Sequence, residues 1–170
     1  MKMTSAVANK FIRKLTDEYN FIRSSERDCD TYVLATGETA DPPVYDYAYT
    51  NLRLAEIDRK IAVIKHALNV NNTITSMELA GGTVLTIDQA LVVMAQLNSR
   101  LAVLDTMRKR QDRTRVGSIT RSSGIVLEYR YLNYDPKLVE RDYEKLFARI
   151  VDIQLRLDKL NYTVEFEVDI

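Results

Sequence analysis

Between Arg108 and Arg121 the chain carries Arg108, Lys109, Arg110, Arg113, Arg115 and Arg121 against a single acid, Asp112. Five of these six cations are arginines, whose planar fork of donors suits phosphate and carboxylate better than the point charge of lysine. Tyr129 and Tyr131 follow closely, with Tyr134 just beyond. Rings of this kind stack on a base or another flat group. The chemistry indicated is binding of a small anion such as a nucleotide, gripped by Arg108, Arg110, Arg113, Arg115 and Arg121 with Tyr129 or Tyr131 stacking. A plainer reading stands beside it: a solvated helix end whose arginines pair with acids on neighbouring helices or chains. The formal net charge of zero argues against a general nucleic-acid binder, which presents a broad basic face.

Other chemistries have thinner support. His66 is the only histidine, so one chain has no histidine cluster for a metal. It falls off the apolar spacing of its segment, at an exposed or rim position. Cys29 is the only cysteine. Asp28 and Asp30 flank it and oppose the thiolate. A lone cysteine allows no internal disulfide, which fits a reducing, cytoplasmic setting. No carboxylate pattern matches a metal site, and the phosphate-loop, dinucleotide and serine-nucleophile motifs are absent. The expectation is a non-enzymatic protein with no cofactor and no metal.

The elements that must carry the arginines are read from apolar spacing. Ala8, Ile12, Leu15, Tyr19 and Ile22 recur at alternating steps of four and three. So do Tyr47, Thr50, Leu54, Ile57, Ile61, Ile64 and Leu68, and again Val139, Tyr143, Leu146, Ile150, Ile153, Leu157 and Leu160. Ile87, Leu91, Met94, Leu97, Leu101 and Leu104 follow the same rule with a one-residue slip. A repeat of this period keeps one seam facing a partner helix, as in a coiled coil. Four helices are predicted, at about 4–27, 43–70, 86–110 and 135–161. Thr86 and Gln89 form a capping box. Asp135-Pro136 supplies a cap and a first-turn proline, and Asp41-Pro42-Pro43 does the same for helix two.

Alternation around Gly81-Gly82 predicts a hairpin at about 73–85, and the turn residues Ser122-Ser123-Gly124 a second at about 118–133. The tail places Val164, Phe166, Val168 and Ile170 on one face of a strand at about 163–169, with Glu165 or Glu167 opposite Arg130 as one pairing. Ser24 to Gly37 reads as a long loop. The fold class expected is mainly α: a single domain, an antiparallel bundle of long helices with heptad-like seams, one or two short β-hairpins and a C-terminal strand. Ile57, Ile61, Ile64, Leu146, Ile150, Ile153 and Leu157 would build its core or an interface. Long seams beside apolar strands leave surface that a homo-oligomer would bury. The first residues contain no apolar run, so no signal peptide is expected, and no stretch approaches the length of a membrane span.

Three landmarks carry a family resemblance. They are "NVNNT" followed by "GGTVLTIDQAL", then "DRTR" at Asp112 to Arg115, then "LDKLNYTVE" at the end of helix four. From about Val44 to Glu167 the chain resembles the septicolysin-like family of small bacterial and phage proteins, with Tyr162 in place of the family's tryptophan. The resemblance implies a mostly helical protein with a small β element and no established function. The family label suggests a cytolysin, which nothing else in the residues supports. Self-association is the leading expectation and small-anion binding the alternative.

Overall fold

The computed structural model describes residues 1–121 and 124–170, except for the side chains of Thr120 and Arg121. The protein is mainly α. Among the described residues, contacts divide it into two compact units, Met1–Ser76 with Asp158–Ile170 and Met77–Leu157.

The first unit is built on a helix pair. Strand β1 (Lys2–Thr4) leads directly into helix α1 (Ser5–Cys29), with Thr4 as N-cap. Helix α2 (Tyr47–Ile74) runs back along it. The directions follow from the contacts: Glu26 meets Tyr45, and Glu18 meets Arg53 at 2.6 Å. Ala8, Leu15, Ile57 and Ile64 form one buried cluster, with Ile12, Tyr19, Ile22 and Ile61 packed against it. These are the stripes predicted from spacing, and they are the reason the helices pair. The tail supplies the rest of the core. Strand β6 (Glu165–Glu167) pairs antiparallel with β1 in the register Met3↔Phe166, and Met3 and Val168 join the cluster. Burial is one-sided at Phe166 and Val168 against Glu165 and Glu167, as the alternation predicts. The strand is shorter than expected because the preceding helix runs to Thr163, and Ile170 is exposed.

Three expectations for this unit are corrected. Helix α1 continues to Cys29, so the predicted loop from Ser24 is helical over its first six residues. Polar residues without Gly or Pro sustain a helix there although they show no period. Helix α2 starts at Tyr47, four residues later than expected, and its cap is Asp46, not Asp41. The Asp46 carboxylate accepts the Tyr49 N–H at 3.0 Å. Pro43 disfavours helical geometry at Pro42, so the chain stays extended until a cap with free donors behind it arrives. Finally, β6 pairs with β1, not with the strand holding Arg130. The Tyr45 hydroxyl anchors the connection before α2 by donating to Glu26 at 2.7 Å. That bond, followed by burial, pushes the phenol up to about 12.

The second unit opens with strands β2 (Ser76–Glu78) and β3 (Val84–Thr86), a hairpin whose turn uses Gly81 and Gly82, both at positive φ. Only glycine adopts that conformation without a steric cost. Thr86 then caps helix α3 (Ile87–Arg108), with the Gln89 side chain accepting the Thr86 N–H at 3.0 Å. The capping box is therefore formed as predicted. The stripe of α3 is turned from the predicted one at its start: Ile87, Ala90 and Leu104 are buried, while Leu91 is exposed. Strands β4 (Arg113–Arg121) and β5 (Gly124–Tyr131) pair antiparallel. The expected turn at Ser122-Ser123 lies outside the described residues. Helix α4 (Pro136–Thr163) begins at its predicted proline, where the Asp135 carboxylate accepts the Lys137 N–H at 2.9 Å. Val139, Ile150, Ile153 and Leu157 are its buried face.

The first hairpin is tied to α4 by Asp152, which accepts the Ala80 N–H at 3.0 Å, and by Arg156, which donates to the Glu78 carbonyl. The Ala80 N–H first, and Arg156 second, hold the Asp152 carboxyl below its ordinary value of 3.8. A depressed carboxylate contributes stability above its unfolded pKa and loses it as pH falls through the folded one. Asp152→Asn is therefore expected to lower the melting temperature at neutral pH. The gap to wild type should close as pH falls below 3.8. A gap that stays constant with pH would show that the carboxylate charge contributes nothing.

Candidate functional site

The basic stretch predicted to end a helix is mostly strand. Helix α3 stops at Arg108, and Arg113 to Arg121 form β4. This is the main departure from the sequence reading, and it changes what each arginine faces. In an antiparallel pair, residues directly opposite one another share a face. The register pairs Arg113 with Tyr131 and Arg115 with Tyr129. Four of the predicted site residues therefore lie on one face of the hairpin. The Arg113 guanidinium sits over the Tyr129 ring at 4.3 Å, within range of a cation–π attraction. The rings of Tyr129 and Tyr131 are 6.5 Å apart.

A bulge at Val116 shifts the register between Arg115 and Gly117. It reverses the alternation of β4, so Ser118 joins the face of Arg113 and Arg115, and Ile119 goes to the other with Val126. Strand β5 has no such break. Ile125, Leu127, Tyr129 and Tyr131 thus form one continuous row on the arginine face. Ile125 is 73% exposed and Tyr131 63%. Among the described residues no carboxylate lies within ion-pairing distance of Arg113 or Arg115.

The remaining predicted residues go elsewhere. Arg108 bonds Asp105 at 2.9 Å and Glu140 at 3.3 Å, and lies 4.0 Å from the centre of the Tyr143 ring. The bond to Asp105 raises its pKa, while Lys109 first and Arg108 second lower that of Asp105. Arg108 therefore works as a tie between α3 and α4. Arg110 lines a hollow of about 580 Å³ on the hairpin's root. The side chain of Arg121 lies outside the described residues. His66 is exposed, off the seam as expected, and Cys29 is half-buried. Among the described residues no cluster of metal ligands occurs.

The hollow contains a residue that the sequence reading offered only as a partner for Glu165 or Glu167, namely Arg130. It stands opposite Thr114, on the other hairpin face from Arg113 and Arg115. Arg110, Arg130 and Thr114 line the hollow beside the apolar Val103, Met107 and Leu132. Two backbone bonds frame it: the Arg110 N–H donates to Met107 at 3.1 Å, and the Leu132 N–H to Asp112 at 3.2 Å. The Tyr134 hydroxyl donates to the Met107 carbonyl at 2.7 Å and fixes that ring as a wall. The alternation of Arg130 with Tyr129 and Tyr131 was the available signal, and it required a register to interpret.

No family model matches the sequence, and neither does any curated protein. A search of solved structures finds a likeness to the crystal structure of a functionally unknown conserved protein from Corynebacterium diphtheriae. The TM-score is 0.65 at 17% identity, covering 98% of this chain and 100% of that one. The likeness shows a shared fold. No helix is long and apolar enough to cross a membrane among the described residues.

Proposed function

We propose that this is a non-enzymatic cytosolic protein that associates with copies of itself through the arginine face of the β4–β5 hairpin. The observation that carries this reading is the exposure of Ile125, Leu127 and Tyr131 in one row on the arginine face. A two-stranded ribbon is marginal in water on its own, and this one presents large apolar side chains to solvent. Fully burying a side chain such as Ile125 or Leu127 is worth roughly 1.5–3 kcal/mol.

Charge favours a second copy over an unrelated partner. Arg113 and Arg115 flank the row with no carboxylate in ion-pairing distance among the described residues, whereas the chain's net charge is zero, so acids predominate elsewhere. Glu165 and Glu167 on β6, and Asp142 and Glu144 on α4, are exposed. Another copy supplies carboxylates to the arginines and an apolar row to the row. In this reading the resemblance to septicolysin-like proteins concerns the helical scaffold, not lysis.

Sedimentation equilibrium tests the proposal. At tens of micromolar the protein is expected to sediment above the 19.6 kDa of one chain. A single species at that mass would reject self-association.

A further inference from the structure

From the hollow at the hairpin's root we infer a second binding site, for a small ligand consisting of a flat ring that carries a phosphate or carboxylate. It uses the hairpin face opposite Arg113 and Arg115, and it does not depend on self-association. Arg110 enters from the turn that follows α3, and Arg130 from β5. Neither guanidinium has a carboxylate within ion-pairing distance among the described residues, and no acid lines the hollow. Asp112 and Asp135 line an adjacent hollow, which they share with Lys137 and Pro136.

Two arginines that line one hollow without acids give it a positive potential, which an anion would neutralise. Their forked donors fit phosphate or carboxylate oxygens, which accept two bonds from a single guanidinium. The rest of the lining selects what the anion is attached to. Tyr134 offers a ring face, and Val103, Met107 and Leu132 an apolar surface. Asn133 and Gln111 can both donate to and accept from ring heteroatoms. About 580 Å³ is in the range of small-molecule sites.

Three probes separate the sources of the anion: AMP, inorganic phosphate, and salicylate as an aromatic carboxylate. Binding is read by calorimetry and by tyrosine emission, which no tryptophan obscures because the chain has none. AMP or salicylate is expected to bind at millimolar concentration or better, and phosphate alone more weakly. Arg110→Gln and Arg130→Gln should each weaken binding about tenfold, with the exposed Arg59→Gln on α2 unchanged. If Arg130→Gln alters the melting curve without ligand, Arg110→Gln, outside the strands, carries the test. No heat from any probe at millimolar concentration would overturn the inference. So would an equal loss in Arg59→Gln, or phosphate binding as tightly as AMP and salicylate.

Discussion

Ile64→Ala is expected to destabilise the protein by about 2–5 kcal/mol. Ile64 is fully buried. It faces α1 near Ala8, in a cluster closed by Met3 and Val168 from the paired end strands. Removing its outer carbons loses their transfer energy and leaves a cavity between two helices that cannot close up, because β1 and β6 fix the end of the pair. Domains are stable by only about 5–15 kcal/mol, so the loss is a large share of the total. The control is Leu52→Ala on the same helix, where Leu52 is 71% exposed. That change should stay within about 0.5 kcal/mol. Denaturant midpoints measured side by side decide the matter. Equal shifts for the two variants would mean that the stripe of α2 does not face α1.

Ile125→Glu combined with Leu127→Glu is expected to convert an assembled protein into one of 19.6 kDa. Both positions lie on the arginine face, and neither is buried within the chain. Folding therefore loses little, while an interface would have to desolvate two carboxylates. Arg113 and Arg115 can neutralise those charges in the free chain, which weakens their attraction for another copy further. Far-ultraviolet circular dichroism should retain the helical signal. The control is Val126→Glu on the opposite face, which should leave the mass of the assembly unchanged. If the double variant keeps the wild-type mass, the copies meet elsewhere and the hairpin face has another use.

The helices were legible in the sequence because apolar residues at steps of three and four fall on one side of a helix whatever lies beside it. Ala8, Leu15, Ile57, Ile64, Val139, Ile150, Ile153 and Leu157 were all placed inward by that rule, and all are buried. Boundaries without a period were harder. Cys29 stayed hidden because the last turns of α1 are polar, and Asp41 imitated a cap that Asp46 provides. Strand β4 was hidden for a different reason. Arg113, Thr114 and Arg115 alternate in which side they face and hardly at all in polarity, so the chain shows no period of two. The bulge at Val116 then breaks the count. Strand pairing lies further out of reach. Lys2–Thr4 is too short to be distinctive, and its partner lies at the opposite end of the sequence. Arg130 could be set apart from Arg113 and Arg115 only once a register had placed it on the other face.

That long-range pairing bears on the order of events during synthesis. The first unit begins with Met1–Ser76, yet its core needs Phe166 and Val168, which are synthesised after the second unit. The stretch Met77–Leu157 is complete before those residues emerge. Domains usually mature in the order in which they are translated; here the part begun first is finished last. Until Phe166 and Val168 emerge, α1 and α2 lack part of the cover over their apolar seam, and a nascent chain stalled before Glu165 would expose it to chaperones.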